Sequence, residues 1–526
     1  MKSFLSLFLV VFLIAGCKSQ TSIGDAKERA TNPVIWADVP DVAMVRVGDV
    51  YYSASTTMHM NPGLPIMKSY DLINWEIISY AYNSLVDNDA MNLENDQRSY
   101  GRGSWAPSIR YHNGMFYAST FSATSGKTHI YTTRDPENEP WKEISFSPVL
   151  HDHSLVFDNG KVYMLYGGGD VRIVELKDDL SGIKPNGINK IIIAEAGKVV
   201  AEDLMLPAEG TQLYKHDGMY YVFNITWPRN GMRTVLVHRA KEITGPYEGR
   251  VLLSDRGIAQ GSVIDTPEGD WYAYMFRDFG SVGRIPYLMP MRWEDGWPVL
   301  GIDGVVPDTL DLPASRGLMP GIVSSDDFKR GANDPDLPLV WQWNHNPVNE
   351  LWSVREREGF LRLRTGTVVD ELQKARNTLT QRTFGPVSSA STVIEVDNMK
   401  EGDFAGLTAF QRMYGKVGVK YENGVKSVFM ISNQGDTLEE IESFPLDQST
   451  VYLKVECDFR DRADVARFFY SLNGKDWEQI GNELNMQYTL MEHFMGYRFG
   501  LFNYATKSSG GYVDFGHYKI SDSISW

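Results

Sequence analysis

A hairpin pattern that occurs five times in the first 275 residues constrains the fold more than any other feature of this sequence. Each copy has an apolar strand, a tight turn with glycine, and a second strand that opens with aromatic residues. Such turns between alternating apolar residues are typical of β-hairpins. The turn glycines are Gly48, Gly114, Gly160, Gly218 and Gly269.

The spacing of the five hairpins predicts a β-propeller. Successive turn glycines stand 46 to 66 residues apart, close to the ~40 to 50 residues of a four-stranded propeller blade with loop insertions. Further strand pairs, such as residues 69–79 and 238–253, would supply the outer strands of the blades. The alternative is a series of unrelated hairpins in a sandwich. We expect five blades over residues 32–312.

The pattern changes after Pro313. A stretch rich in Gly, Pro and Ser predicts a linker over residues 313–323. From residue 324 to 526, short runs such as FLRLRTG, STVIEVD and TVYLKVECDF alternate between apolar and polar residues. Alternation of this period with turn signals is typical of an antiparallel β-sandwich. The chain is therefore predicted to be all-β, with a five-bladed β-propeller followed by an antiparallel β-sandwich.

The amino terminus has the pattern of an export signal. Lys2 precedes an apolar run from Phe4 to Gly16, which is too short to span a bilayer and is typical of a signal peptide over residues 1–16. The end of this run, LIAGC, resembles the lipobox of bacterial lipoproteins, which implies a lipid on Cys17. The alternative is a plain signal peptide with a chance cysteine. The polar residues 17–31 are expected to form a tether.

Lipidation of Cys17 would leave the second cysteine of the chain, Cys457, without a partner. Cys457 stands in an apolar strand pattern, so we expect a buried and inert thiol and no disulfide. The protein is expected in the cell envelope, attached to the membrane only through Cys17. The sequence leaves open whether it faces the periplasm or the outer surface, and it specifies no oligomeric state.

The charge balance argues against nucleic acid as a partner. The chain has 51 Lys and Arg against 67 Asp and Glu, a formal net charge of −16. A surface potential of this sign repels phosphate backbones.

Residues that precede the inner strands of propeller blades meet at one end of the central channel. Seven to nine positions before the turn glycines stand Asp41, Trp105, Asp152, Glu209 and Gln260. A single acidic residue before a strand usually makes a turn. Three carboxylates at equivalent positions would raise one another's pKa and destabilise the fold unless a site used them. The sequence therefore predicts a functional site at this mouth of the channel.

Paired carboxylates in a cleft with Trp and Tyr are typical of glycoside hydrolysis, in which one acid protonates the leaving oxygen and another carboxylate activates water. The chain also resembles glycoside hydrolase family 43, five-bladed propeller enzymes that act on xylose- and arabinose-containing glycans. The similar segments are NPVIWADVPDV from Asn32, WAPSIRYHNGMFY from Trp105, HDHSLVFDNG from His151, AEGTQLYKHDG from Ala208, QGSVIDTPEGDWY from Gln260 and GRIPYLMPMRW from Gly283.

The resemblance implies roles for the three carboxylates. Asp41 matches the general base, Glu209 the general acid, and Asp152 the third carboxylate, which orients the acid and raises its pKa. It implies an inverting mechanism, in which base and acid stand about 6.5 to 9.5 Å apart to admit a water molecule. Valine follows Asp41 where the family usually has proline, and Asp38 is a rival base.

The resemblance also implies substrate-binding residues. Arg284 matches an arginine that hydrogen-bonds sugar hydroxyls, with a surface ion pair as the alternative. Trp105 is expected to wall the sugar subsite. His59 could line the pocket but is expected to be solvated. Gln260 is a candidate binding residue. For each of three further aromatic residues, a place in the site and ordinary packing between blades are both left open: Trp36, Tyr52 and Trp227.

No metal or other cofactor is expected to be required, although a structural Ca²⁺ ion is compatible with the sequence. Gln260 stands where many relatives have a channel histidine, and a neutral amide oxygen is a weak ligand without carboxylate support. The run His151-Asp152-His153 resembles a metal motif. We expect no site there, because adjacent residues of a strand point to opposite faces.

The carboxyl-terminal residues are similar to the module that accompanies such propellers, on WQWNHNP from Trp341, WSVREREGFLRLR from Trp352 and LFNYATKSSGGYVDFGHYKI from Leu501. In such relatives a sandwich loop can narrow the pocket, which favours removal of terminal sugars. An exposed aromatic strip would instead indicate a carbohydrate-binding module. The sequence leaves this choice open.

We therefore predict an exo-acting, inverting glycosidase that removes terminal β-D-xylosyl or α-L-arabinofuranosyl residues from hemicellulose-derived glycans. Its expected partners are oligosaccharides or polysaccharides such as xylan, arabinoxylan and arabinan fragments. The choice between xylose and arabinose stays open. The alternative from another class is a non-catalytic glycan-binding propeller lipoprotein.

Overall fold

Each repeated hairpin supplies the two inner strands of a four-stranded antiparallel sheet in the computed structural model of the chain. The structure describes residues 29–435 and 437–526, so the predicted signal peptide and Cys17 lie outside the described residues. In blades one to three the strands are Ala43–Val47, Val50–Ala54, Gly63–Ser69 and Glu76–Tyr82; Ser108–His112, Met115–Ser122, Lys127–Thr133 and Lys142–Phe146; and Ser154–Asp158, Lys161–Tyr166, Val171–Glu175 and Asn189–Ile193. In blades four and five they are Leu204–His216, Met219–Pro228, Thr234–Ala240 and Glu248–Leu253; and Ala259–Asp265, Trp271–Asp278, Arg284–Glu294 and Trp297–Leu300.

The repeated turns have the backbone geometry that their sequence favours. Asn113 and Gly114 both have positive φ, 50° and 76°, as a two-residue type I′ hairpin requires. The blades then close into a ring through hydroxyl contacts between inner strands. Ser262 Oγ of blade five accepts a hydrogen bond from the Met44 N–H of blade one, and Ser108 Oγ of blade two accepts one from the Leu155 N–H of blade three. The predicted five-bladed β-propeller is confirmed.

The predicted sandwich is also confirmed, as two antiparallel sheets that face each other. One contains Leu438–Pro445, Val425–Asn433, Tyr414–Glu422, Asp403–Phe410, Arg498–Ala505, Leu379–Arg382 and Gln342–Asn344 in spatial order, with Met60–Asn61 of the propeller as its last strand. The other contains Trp352–Ser353, Leu361–Arg364, Tyr512–Ser521, Val387–Glu395, Thr450–Asp458, Val465–Ser471 and Glu478–Gln479, and Leu484–Asn485 also pairs with Val465–Ser471. Cys457 is fully buried here and has no disulfide partner among the described residues.

Helical structure in the described residues is short. One α-helix, Asp89–Asn92, has Asn88 as its N-cap, and 3₁₀ turns form at Ala196–Val199, Gly280–Val282, Asn349–Leu351, Leu372–Lys374 and Arg460–Arg462. Among the described residues, no helix combines the length and the apolar content needed to cross a bilayer.

The end of the predicted tether differs from the prediction. Residues Arg29–Thr31 form a strand that pairs with Thr309–Pro313, and Ala30 is fully buried. A three-residue strand buries a single side chain and shows no apolar periodicity, which is why the polar sequence indicated a tether over these residues.

Three histidines are buried where the propeller meets the sandwich. The ring of His59 lies 4.7 Å from that of His345 and 5.0 Å from that of His493. Neither ring nitrogen of His59 has a hydrogen-bond partner among the described residues. Burial lowers the pKa of all three, that of His493 to about 3, and the neighbouring Arg498 adds to the shift for His59 and His493. The expectation that His59 is solvated or lines the pocket is therefore wrong.

These histidines predict that the protein loses stability in acid. The folded state holds them neutral, whereas the unfolded chain protonates them near pH 6.5, so the unfolded state binds more protons and stability falls as the pH drops below that value. At about 1.4 kcal/mol per pH unit for each histidine, the free energy of unfolding should fall by several kcal/mol between pH 7 and pH 5.

Urea unfolding at the two pH values measures this loss. His59→Phe should have a smaller pH dependence than the wild type, because it removes one of the three protonation sites. His112→Gln is the control, since the His112 ring stacks on Phe157 at the opposite end of the channel, and it should keep the full dependence. An equal dependence in wild type and His59→Phe would contradict the assignment.

Candidate active site

A narrow cavity at one mouth of the channel has residues from all five blades in its wall. Asp41, Asp152 and Gln260 line it from blades one, three and five. Blade two contributes Ala106 and Pro107, and blade four contributes residues 210–212. The structure thus brings three of the five equivalent positions into one cavity. Glu209 is not among the lining residues, but it precedes Gly210, which is, and one of its carboxylate oxygens is within 4.8 Å of one from Asp152.

A left-handed backbone turns these side chains into the channel. Asp41, Asp152 and Gln260 all have positive φ, between 45° and 55°, which is uncommon and costly outside glycine. In blade four Glu209 is followed by Gly210, whose φ is 66°. A Cβ on Gly210 would stand 2.9 Å from the Gln260 side chain, so this glycine permits the close approach of two blades.

Glu209 differs from Asp41 and Asp152 in its setting. It lies inside the strand Leu204–His216, at an irregularity of the pairing with blade four's second strand. Its carbonyl accepts a hydrogen bond from the Asn224 side chain, 3.2 Å away. Asp41 and Asp152 instead stand two residues before strands that begin at Ala43 and Ser154. The inner strand of blade four therefore begins earlier than the equivalent spacing predicted.

Asp41 forms a buried ion pair with Arg284. Arg284 Nη1 donates to Asp41 Oδ2 over 2.8 Å, and both side chains are buried. Burial raises the pKa of Asp41 above its ordinary value, and the positive charge of Arg284 opposes this rise. The surface ion pair considered as an alternative for Arg284 is therefore wrong. The structure pairs Arg284 with the candidate base, and its contact with sugar hydroxyls stays a prediction.

The rival carboxylate Asp38 has a different contact. Its Oδ1 accepts a hydrogen bond from the backbone N–H of Arg284 over 2.7 Å, and Asp38 does not line the cavity. Asp38 thus anchors the strand that carries Arg284, which favours Asp41 as the base.

Asp152, Glu209 and His151 form a second cluster across the cavity. His151 Nε2 lies 3.3 Å from Glu209 Oε2 and 3.8 Å from Asp152 Oδ2, and Asp152 Oδ2 also accepts the Gly210 N–H over 2.9 Å. Burial raises the pKa of Asp152 to about 7. The charge of His151 opposes this rise, and the nearby Glu209 carboxylate adds to it. Burial alone would lower the pKa of His151, but its bond to Glu209 and the charge of Asp152 raise it to about 9.

The structure corrects the interpretation of residues 151–153. The prediction that His151 and Asp152 point to opposite faces is wrong, because the strand begins only at Ser154 and Asp152 has a φ of 45°. Both side chains therefore reach Glu209, whereas His153 Nε2 lies 2.9 Å from Ser119 Oγ. His151 is a site residue that sequence reasoning missed. Its only signal was its position next to Asp152.

The same cluster bears on metal binding. Within the described ranges, His151, Asp152 and Glu209 could contact one cation, because one donor atom of each lies within 4.8 Å of the others. Carboxyl and imidazole groups in such an arrangement can also transfer protons. The expectation that no metal is required stays a prediction.

A residue of the sandwich packs against the partner of the candidate base. The ring of Phe494, from the segment before the strand Arg498–Ala505, lies 5.4 Å from the ring of Trp105 and 4.3 Å from the guanidinium of Arg284. The Phe494 carbonyl also accepts a hydrogen bond from Arg284 Nη2 over 3.2 Å. The module therefore shapes the surroundings of the candidate base. Trp105 lies beside the cavity, and its contact with sugar stays a prediction.

The other aromatic candidates pack within the protein. The ring of Trp36 contacts Phe279, and that of Tyr52 contacts Phe116. The indole N–H of Trp227 donates to the Gly231 carbonyl. These contacts favour ordinary packing over a place in the cavity.

Replacing Phe494 with alanine should lower kcat/KM about tenfold, mainly through KM. The change removes a wall beside Trp105 and a cation–π contact worth up to about 2 kcal/mol in a desolvated site. Steady-state kinetics on a nitrophenyl glycoside measures the loss. Phe444→Ala is the matched control, because that ring packs on Tyr470 in the outer part of the sandwich. Equal kinetics in Phe494→Ala and wild type would show that the sandwich does not shape the site.

Comparison with known families decides the class of protein. The family described as glycosyl hydrolases family 43 matches residues 30–298. The chain belongs to glycosyl hydrolase family 43. A second family, the beta xylosidase C-terminal concanavalin A-like domain, matches residues 325–521. This family 43 chain is a glycosidase, and its substrate is an oligosaccharide or polysaccharide.

Two curated relatives and one solved structure illustrate the similarity. A beta-xylosidase of Formosa agariphila is 28% identical, over 94% of this chain and 91% of the relative. A non-reducing end alpha-L-arabinofuranosidase of Bacteroides ovatus is also 28% identical, over 69% of each chain. The structure of a bifunctional GH43-CE protein of Bacteroides eggerthii is 57% identical with a TM-score of 0.94, over 95% of this chain. The family 43 chain spans 64% of that protein's length.

Proposed function

We propose that this family 43 glycosidase removes terminal β-D-xylosyl or α-L-arabinofuranosyl residues from xylan-type glycans with inversion of configuration. The observation that carries the proposal is that Asp41 and Asp152, from two blades, line one cavity, and that Glu209 of a third blade has a carboxylate oxygen within 4.8 Å of one from Asp152. Single displacement requires a base and an acid on opposite sides of the sugar, and carboxylates on separate blades can take these two places.

Asp41 acts as the general base. Arg284 holds Asp41 Oδ2 over 2.8 Å, which leaves the other oxygen to take a proton from water. Burial raises the pKa of Asp41, and this makes the carboxylate a stronger base. The charge of Arg284 limits the rise, so that the carboxylate still ionises.

Glu209 acts as the general acid. Its side chain is 24% exposed at the edge of the cavity, whereas that of Asp152 is 5% exposed. The more accessible carboxyl is the one that a departing glycosyl oxygen can reach. Asp152 Oδ2 accepts the N–H of Gly210, the residue after Glu209, over 2.9 Å, which fixes the backbone that carries the acid.

The wall formed by Trp105 and Phe494 supports action on chain ends. The Phe494 ring contacts Trp105 and lies over the guanidinium of Arg284, which pairs with Asp41, so a residue of the sandwich packs next to the candidate base. A closed side of the site accommodates a terminal sugar and disfavours a polymer running through it. The relatives named a beta-xylosidase and an alpha-L-arabinofuranosidase support the two candidate sugars.

The proposal includes a location and a cofactor requirement. A lipid on Cys17 would hold the enzyme in the cell envelope, where it meets glycan fragments. Catalysis would need no metal, because the base and the acid are side chains of the protein.

Hydrolysis of the nitrophenyl β-D-xylopyranoside and α-L-arabinofuranoside tests the proposal. Activity on either substrate is expected, and their ratio identifies the preferred sugar. Proton NMR during hydrolysis of the β-xyloside should show α-xylose as the first product. A first product of β-xylose would overturn inversion. A wild type that hydrolyses neither substrate, nor arabinoxylan or arabinan, yet binds them would favour the non-catalytic alternative.

A further inference from the structure

Two carboxylates of the active site have only a histidine as a basic partner. Asp152 and Glu209 both contact His151, and neither forms an ion pair with a Lys or Arg among the described residues. Asp41, by contrast, is paired with Arg284 over 2.8 Å. Buried charges in proteins are normally paired or bound to metal ions. The Asp152 side chain is only 5% exposed, so this cluster lacks the Arg counter-ion that the candidate base has.

The spacing of the three donor atoms fits a single ion. His151 Nε2 lies 3.3 Å from Glu209 Oε2 and 3.8 Å from Asp152 Oδ2. Zinc binds nitrogen and oxygen ligands at about 2.0 to 2.2 Å, so two ligands of a tetrahedral ion stand about 3.3 to 3.6 Å apart. Hydrogen bonds between a charged nitrogen and a carboxylate are shorter, about 2.7 to 2.9 Å. The observed separations are therefore closer to those of metal ligands than to those of a tight ion pair.

The protein holds two of the donors in place and leaves a way in for an ion. The edge of the His151 ring meets Phe121 at a centroid distance of 5.2 Å, and Asp152 Oδ2 accepts the Gly210 N–H over 2.9 Å. The side chains of His151 and Glu209 are 40% and 24% exposed. An ion can therefore enter from solvent and keep water as its fourth ligand, as in zinc sites with three protein ligands.

The donor set selects the class of ion. One imidazole nitrogen and two carboxylate oxygens suit Zn²⁺ and similar transition-metal ions. Ca²⁺ prefers about six to eight oxygen ligands, which these three side chains do not supply. In the part of the chain that the structure describes, no other group of three His, Cys, Asp or Glu side chains has its donor atoms this close together.

We propose that His151, Asp152 and Glu209 form an inhibitory metal site that binds one Zn²⁺ ion or a transition-metal ion of similar chemistry. The inhibition rests on the proposed role of Glu209 as the acid. When the ion binds, the three donor atoms form coordination bonds to it, and a proton held on Glu209 passes to water. A carboxylate bound to the ion has no proton to give to the leaving oxygen, so cleavage stops until the ion leaves.

Isothermal titration calorimetry with Zn²⁺ measures binding to tag-free protein from which a chelator has removed metal. We expect one ion per wild-type chain, and an excess of Ca²⁺ should not displace it. Loss of an outer partner of a metal ligand costs about 10- to 100-fold in affinity, so loss of a ligand itself should weaken binding by about tenfold or more. The two test variants are His151→Phe, which keeps an aromatic ring beside Phe121, and Asp152→Asn.

The matched control is His216→Gln. His216 Nε2 lies 3.5 Å from Asp217 Oδ2, but this pair has no third ligand among the described residues. The variant should therefore bind Zn²⁺ as the wild type does. Thermal unfolding confirms that each variant is folded before its binding is measured.

Rates on xylobiose or an arabino-oligosaccharide are measured at the same Zn²⁺ concentrations. Inhibition of the wild type should follow the occupancy measured by calorimetry, and a chelator should restore the full rate. Each variant is compared with its own rate in metal-free buffer, because the three ligands belong to the active site. His151→Phe should need about tenfold more Zn²⁺ or more for half inhibition.

The outcomes separate this inference from the proposed function. A wild type that does not bind Zn²⁺, or folded test variants that both bind it as tightly as the wild type, would overturn the metal site. Binding that leaves an active enzyme uninhibited, or that activates it, would contradict the inhibitory role. An enzyme that is inactive with and without Zn²⁺ would overturn the proposed function, while calorimetry would still decide whether the metal site exists.

Discussion

Glu209→Gln lowers kcat on xylobiose or an arabino-oligosaccharide by about 10³- to 10⁴-fold, with little change in KM. The amide has the shape of the acid but no proton to give, so a poor leaving group departs without assistance. On a dinitrophenyl glycoside the loss should be far smaller, because that leaving group is stable as an anion. The contrast between the two substrates identifies an acid, whereas a general defect would lower both rates alike.

Initial rates on both substrates check this result. Glu202→Gln is the matched control, because Glu202 lies seven residues away, just before the first strand of blade four, and is exposed in an ion pair with Lys198. It should retain wild-type rates. Equal losses on the two substrates in Glu209→Gln would show that Glu209 is not the acid and would direct attention to Asp152.

Local rules of chain geometry explain why the propeller could be predicted from the sequence. Each Asn-Gly or Asp-Gly turn determines one hairpin, as the positive φ angles of Asn113 and Gly114 illustrate. Five hairpins at similar spacing then admit few architectures. Each turn fixes where the inner strand of its blade begins. Residues at a similar distance before each turn therefore lie at the same mouth of the central channel. The sequence alone could therefore place Asp41, Asp152 and Gln260 in one cavity.

Contacts that depend on tertiary packing could not be predicted in this way. Phe494 reaches Arg284 from the end of a separate domain, and no local pattern signals where that domain docks. The pair of Arg284 and Asp41 likewise joins blades five and one. Each side chain looks ordinary in its own segment, and only closure of the ring brings them together.

The error at His151 has a local cause. Alternation of faces holds for residues with extended backbone, and Asp152, with a φ of 45°, breaks it just before the strand begins. A residue with left-handed backbone changes the direction of the side chain before or after it. Two neighbouring side chains can then lie on the same side of the chain. The sequence contains no glycine or proline at this point to signal the change.

Asp41→Asn should lower kcat by about 10³- to 10⁴-fold on good and poor leaving groups alike. Water must be deprotonated whatever group departs, and an amide cannot accept that proton. The change also leaves Arg284 buried without its carboxylate, which typically destabilises a protein by about 3 to 5 kcal/mol. The thermal unfolding of the variant is therefore measured first, and the rates are compared at a temperature at which the variant is folded.

Two further measurements separate the loss of the base from the loss of stability. Asp38→Asn also removes a buried carboxylate that contacts Arg284, but Asp38 lies outside the cavity, so its catalytic loss should be much smaller at a temperature where both variants are folded. Azide needs no base to attack a sugar, and it should raise the rate of Asp41→Asn and give a glycosyl azide of inverted configuration. Equal rates in the two variants, with no azide product, would show that Asp41 stabilises the fold through Arg284 and does not activate water.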